Sequence, residues 1–215
     1  DWLAAEFIRS GWSVKHMQRL ILTSATFRQS NRPVPAAMQV DSACTLLWRF
    51  PPRRLDAELI RDQILAVTGM LDLTPGGPGF LLFEPNANYA RNWVPQTGSF
   101  EREDYRRMIY ALKLRMEPDA IFSAFDVPDS GQVCPSRSRS TTPLQALNLF
   151  NSSFLIEQAE QLAKKASDVP TAYQLAYQRG PFADELAAAE AFVKHNGLPA
   201  LCRALLNSNE FLFVE

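Results

Sequence analysis

Arg53, Arg54, Asp56, Glu58, Arg61 and Asp62 make the densest cluster of ionisable side chains in the chain. On a helix, Glu58 and Asp62 stand one turn apart and Arg54 lies one turn before Glu58, so these side chains are neighbours. Two carboxylates tuned by arginines could perform acid–base chemistry or hold an ion. The alternative is a solvated helix face, or a structural ion-pair network that also draws in Arg28, Arg137 and Arg139. Buried, such a network is costly and is retained for specificity or for a ligand.

Arg137 and Arg139 lie just before a helix start, where the dipole is positive and a cation is unfavourable unless it reaches a carboxylate or a ligand. Thr142 is a suitable N-cap and Pro143 fits the first helical position. The free amides there could also receive an anion. Arg54, Glu58, Arg61, Asp62, Arg137, Arg139 and Thr141 are therefore the candidate binding residues, and no residue is assigned a catalytic role. Phe80, Phe83, Tyr89 and Trp93, on a Gly/Pro-rich stretch, could form an aromatic platform for a glycan or peptide. They could equally pin a long loop to the core.

Other chemistry finds less support. Asp126 and Asp129 could offer oxygens to calcium, but their spacing is not that of an EF-hand loop, and Asp in a turn usually bonds its own backbone. His16 and His195 are the only histidines, without metal-ligand spacing. No Gly-x-Ser-x-Gly elbow occurs. Cys44, Cys134 and Cys202 include no Cys-x-x-Cys-His, which excludes covalent haem attachment. They read as three isolated thiols or as one disulfide and one thiol. No cofactor and no metal are assigned. A formal charge of -1 argues against nucleic acid as a partner, and no apolar run reaches membrane-spanning length.

The elements that must position these groups are mainly helices. Apolar residues recur at helical spacing from 1 to 9, with Trp2, Leu3 and Phe7 inward, and from 14 to about 27 behind a Ser13 cap. Residues 31–40 read as a connector. Leu55, Leu59, Ile60, Ile64 and Val67 form a helical face that Gly69 ends. Residues 74–98 are an irregular Gly/Pro-rich insertion. Residues 101–116 fit helix better than strand, and 118–125 a further short helix. From 142 the chain reads as successive helices, the first with Leu144, Leu147 and Phe150 on one face. The expected architecture is a compact, mainly α, single domain over 1–215, with little or no β, confined to 45–50 or 105–113. Beginning at Asp1 within an amphipathic pattern, the chain reads as a piece of a longer protein.

Several longer stretches carry a resemblance. They are Gly11-Trp-Ser-Val-Lys15, Leu20-Ile-Leu-Thr-Ser-Ala-Thr-Phe-Arg-Gln-Ser30, and Leu46-Leu-Trp-Arg-Phe-Pro-Pro-Arg-Arg-Leu-Asp-Ala-Glu58 with Ile60-Arg-Asp62. Gly76-Gly-Pro-Gly79, Phe125-Asp-Val-Pro-Asp129, the run from Arg137 to Asn151 and Leu205-Leu-Asn-Ser-Asn-Glu-Phe-Leu-Phe-Val214 continue it. The chain resembles the C-terminal planctomycete-specific domain of unknown function. That domain closes large secreted proteins that often carry a cytochrome-c-like module upstream. The resemblance implies an extracytoplasmic setting and upstream domains of the same chain as partners; it implies no reaction. Relatives favour a polar residue near position 44, where this chain has Cys44. The expected function is a noncatalytic binding or scaffolding module whose target is a polysaccharide or a neighbouring domain. The alternatives are a hydrolase acting on a surface glycan through the Arg/Asp/Glu cluster, and a docking module for a haem domain.

Overall fold

A computed structural model describes residues 1–84, 94–95, 102–113 and 122–214. It is mainly α, with ten α-helices among the described residues. They are α1 (Trp2–Arg9), α2 (Val14–Leu22), α3 (Pro35–Val40), α4 (Ala57–Thr68), α5 (Pro143–Asn151), α6 (Ser153–Ala166), α7 (Val169–Tyr177), α8 (Ala183–Asn196), α9 (Leu198–Leu206) and α10 (Asn209–Leu212). The described strands, β1 (Arg53–Arg54), β2 (Phe83–Glu84), β3 (Val94–Pro95) and β4 (Phe213–Val214), are two residues each. No described helix is long and apolar enough to cross a membrane. The chain divides into two units, Asp1–Arg53 with Phe213–Glu215, and Arg54–Leu212.

In the first unit, α1 and α2 form a hairpin through Gly11 and Trp12, both at positive φ. The His16 ring lies 3.0 Å from Glu6, and the Phe7 and Trp12 rings meet edge to face at 5.3 Å. Ser13 accepts from the His16 amide, as its cap position requires. Asp41 organises the following turn. Its carboxylate accepts from the Leu46 and Thr45 amides and the Thr45 hydroxyl, and the Leu46 amide leads in holding its pKa below the usual range. Three features of this unit differ from those expected. Trp2 and Leu3 are exposed rather than inward. The second helix stops at Leu22, five residues short. Pro35 opens α3 inside the expected connector, because its fixed φ suits a first turn.

In the second unit, α6 packs on α4, α5, α7 and α9. Phe154, Leu155, Ala159 and Leu162 of α6 are buried, as their spacing predicts, and so are Ile60, Ile64 and Leu65 of α4 and Leu201, Leu205 and Leu206 of α9, the helices on which α6 packs. Each such side chain contributes about 1.5–3 kcal/mol. Ser152 re-caps the chain between α5 and α6 by accepting from Leu155 N–H. Gly69 ends α4 in the left-handed region at φ 84°, the conformation a C-terminal glycine supplies without strain.

Two faces differ from expectation. The buried side of α4 is Ala57, Ile60, Arg61, Ile64, Leu65 and Thr68, while Leu59 is exposed. On α5, Gln145 and Leu149 turn inward and Leu144 and Leu147 are each 58% exposed. Gln145 Oε1 accepts the Thr142 amide and its Nε2 donates to the Ala124 and Ser140 carbonyls, so a polar anchor fixes the helix's rotation. Within 102–113 there is no α-helix. Turns of 3-10 type at Arg102–Tyr105 and Met108–Tyr110 are joined by parallel bridges, Asp72 to Arg106 and Phe80 to Ala111. The expected helix over 118–125 is a 3-10 turn, Phe122–Phe125, in its described part.

All three cysteines are free thiols, with Cys44 and Cys202 buried and Cys134 exposed. Burial pushes the Cys202 thiol up to about 12, far from the thiolate form that reacts. Titration with DTNB of the native protein should label Cys134 alone, and all three thiols after unfolding. Rapid native labelling of Cys202 would contradict this packing.

Candidate functional site

The charged cluster grades from a buried end to an exposed end. Arg61, on the inner face of α4, is 2% exposed. Its guanidinium donates to the Arg106 carbonyl at 2.9 Å and to the Asp104 carbonyl, and lies over the Phe80 and Phe154 rings at 5.2 and 5.8 Å. Phe80 is therefore a buried wall of the Arg61 site and not an exposed platform; the side chain of Phe83, and Tyr89 and Trp93, lie outside the described residues. The described start of the irregular insertion is held by Arg106, which donates to the Thr74, Gly76 and Pro78 carbonyls and stacks 4.1 Å from the Tyr110 ring centre. The Tyr110 hydroxyl accepts the Gly76 amide. Gly79 passes so close that a Cβ would sit 2.7 Å from the Tyr110 carbonyl oxygen.

Arg54 is also buried. One nitrogen donates to Asp126 at 2.7 Å, and its guanidinium lies over the Phe125 ring. Asp126 accepts further from the Ser140 amide and hydroxyl. Desolvation pushes this carboxyl up, but the Ser140 and Arg54 bonds win and leave its pKa lowered. Asp129 accepts the Gly131 amide in a turn. Among the described residues no group of three or more His, Cys, Asp and Glu could hold a metal.

Toward solvent, Arg137 forms a fork with Glu58, 2.8 Å to each oxygen, and Arg139 reaches Asp56 at 3.4 Å. The two arginines ahead of α5 thus answer carboxylates on and just before α4. Thr141 is exposed beside them. Arg28, grouped with them by charge, is an exposed residue of the first unit. Glu58 and Asp62 share a helix and differ in character. Desolvation pushes Glu58 up, but its bonds to Arg137 and the charges of Arg137 and Lys113 bring it net below the usual range. Desolvation prevails at Asp62, which stays raised although it accepts the Met108 amide at 2.8 Å and lies near Arg61 and Arg107.

Glu58 and Arg137 open on a cleft of about 260 Å³. Among the described lining residues Lys113 is also charged, and Ser130 adds a hydroxyl. The floor is apolar: Leu82, Met108, Leu112, Phe122, Val127 and Pro128. Of the sequence candidates among the described residues, Glu58 and Arg137 reach it. Asp62 supports it indirectly through Met108, while Arg54 and Arg61 lie beneath in the framework. Met108, Leu112, Lys113 and Val127 went unrecognised as site residues because no local periodicity brings 108–113 and 122–130 together.

Two outcomes are expected. Replacing Arg61 by Met orphans two buried carbonyls and should lower stability by about 3 kcal/mol or more, read by urea unfolding. Glu58→Gln should cost about 1 kcal/mol or less at pH 7, since the pair is partly exposed. A lowered pKa contributes stability that is present above the ordinary value of 4.5 and is lost as pH falls through the folded value, so the difference between wild type and variant should close in acid. Asp62, with its raised pKa, contributes with the opposite sign.

The sequence profile described as PSD1, Protein of unknown function (DUF1553), matches residues 1–193. No curated protein and no solved structure matches the chain. That match spans most of the chain, both the α1–α2 hairpin and the Glu58–Arg137 cleft, and the chain therefore belongs to the DUF1553 family.

Proposed function

We propose that the chain is a noncatalytic binding and scaffolding module of a secreted multidomain protein. The observation that carries this is the commitment of the cluster's carboxylates. Asp56 and Glu58 pair with Arg139 and Arg137, Asp62 takes the Met108 amide, and Asp126 takes Arg54 and Ser140. An acid–base centre needs a carboxyl poised near neutrality and facing substrate. The carboxyl on the cleft, Glu58, is shifted the other way. The raised carboxyl, Asp62, is not part of the cleft wall. The hydrolase alternative draws less support from this arrangement than a binding role does.

Of the two expected targets, a neighbouring polypeptide domain fits the cleft better than a polysaccharide. The floor is almost wholly apolar, and Ser130 is its only uncharged polar side chain among the described lining residues. A sugar would leave hydroxyls there without partners. The resemblance to the C-terminal domain of planctomycete secreted proteins supports an extracytoplasmic location and an upstream domain of the same parent chain as the occupant, a cytochrome-c-like haem module among them.

Amide shift mapping of the labelled chain separates these readings. Addition of the upstream region of the parent protein should move resonances of 58, 108–113, 122–130 and 137. An acidic oligosaccharide should move them less. No shifts with either partner at high concentration would remove the binding reading. Ester or glycoside turnover that Glu58→Gln abolishes would replace it with the hydrolase.

A further inference from the structure

We infer that the α1–α2 hairpin is a membrane-surface contact that lies in the plane of an anionic lipid bilayer. This uses the first unit and is independent of the cleft. Neither helix buries a residue, and helices of eight and nine residues are marginal in water without a packed face. Their exposed apolar residues gather on one side. At 3.6 residues per turn, Ile8 lies about half a turn from Glu6, and Val14 and Ile21 lie about half a turn from His16. The Glu6–His16 contact marks the polar side of the hairpin, so Ile8, Val14 and Ile21, all exposed, face away from it. Trp12, between the helices, is 66% exposed and meets the Phe7 ring edge to face.

Charge selects the surface that covers this side. Glu6 is taken up by Arg9 and His16. Lys15 and Arg19, one turn apart on α2, and Arg28 beyond its end are exposed and make no ion pair among the described residues. Residues 1–53 hold seven Lys and Arg against three Asp and Glu, a net charge of +4 in a chain whose total is -1. A second copy would bring these like charges together. Anionic headgroups neutralise them while the acyl boundary takes up Ile8, Val14 and Ile21. Trp12 suits that boundary, because an indole joins an apolar body to one polar N–H. Lys15 and Arg19 lay their stems along the apolar strip and keep their charged ends among the phosphates. Neither helix is long enough to cross the bilayer, so the contact is with its face.

Flotation of the whole chain with vesicles tests this, using phosphatidylcholine alone and phosphatidylcholine with about one-third phosphatidylglycerol. The chain should bind the anionic vesicles, with the neutral ones weaker by about tenfold or more. Added salt should narrow that gap. Lys15→Gln combined with Arg19→Gln should weaken anionic binding by about tenfold or more and leave neutral binding unchanged. Ile21→Gln should weaken both. Ile8→Trp should tighten both by about threefold or more, a gain that lost structure does not produce. Indole emission should shift to the blue on binding, and Trp12→Phe should remove most of the shift while the chain still floats. Before lipid is added, acrylamide should quench the emission that Trp12→Phe removes. No flotation at millimolar anionic lipid, or equal binding to both kinds of vesicle, overturns the inference. So does a Trp12 shielded from acrylamide without lipid: in a dimer the face then belongs to a second copy, and in a monomer to the chain itself. Attaching the upstream region of the parent protein should leave flotation in place, and its loss assigns the face to that region instead.

Discussion

A guanidinium without access to water must be given acceptors, and the second unit is organised around the way Arg61 receives them. Its partners are main-chain carbonyls of Asp104 and Arg106, and its faces are closed by Phe80 and Phe154. Charge-assisted bonds of this kind contribute about 1.5–3 kcal/mol each. They offset the cost of desolvating the ion only because both carbonyls are in place. Arg61 thereby ties α4 to the segment 102–113 and to α6. Once Arg106 is positioned, its side chain gathers the carbonyls of Thr74, Gly76 and Pro78, and once Met108 is positioned, its amide meets Asp62. The wall of the cleft is thus set from the inside.

Moving outward along the same cluster, the interactions contribute less to stability and become more accessible. Arg54–Asp126 is nearly enclosed, Arg137–Glu58 is about a third exposed, and Arg139–Asp56 is similar with a longer contact. Exposed pairs contribute about 0–1 kcal/mol, so the outer arginines can exchange partners at small cost, whereas the inner ones cannot. Glu58 and Asp62 illustrate the crossover within one turn of helix. Both lose water, but only Glu58 gains a two-pronged cation, and their pKa shifts take opposite signs.

The helical half of the chain was legible because its signals are local. The Pro143 start, the Ser152 re-cap, the Gly69 stop and the inward residues of α6 follow from spacing and capping alone. Rotation of the helices was less legible. In α4 the pattern allowed a face through Leu59 and Val67, and it left Arg61 open between a solvated face and a buried network. Its acceptors lie more than forty residues away, a separation that no window of sequence spans. In α5, Leu144 and Leu147 suggested one face, and Gln145 turned the helix to another because its amide had four polar partners waiting. The segment 102–113 combined both difficulties, since its pairing partners are Asp72 and Phe80 and its local pattern fitted a helix better than a strand. An ion-pair network that included Arg137 was one of the options, but its pairing with Glu58 and the cleft that the pair opens on were not legible.

The C-terminal end of the second unit repeats the arginine-centred solution near the surface. Arg179 makes two-pronged contacts with both Glu185 and Glu210, and its guanidinium lies 4.5 Å from the Phe182 ring centre. The Arg179 and Phe182 amide bonds hold Glu185 down to about 2. The loop after α7, the start of α8 and α10 are thereby fixed to one another by a group that a change of pH within the neutral range does not discharge. Arg61 does the same for α4 and 102–113 with carbonyls in place of carboxylates. Both hubs hold irregular segments in place where apolar packing alone is too unspecific to set register. Such anchoring suits a surface that must be presented to a partner in one geometry. At Glu185 the same bonds that fix the acid also keep it ionised.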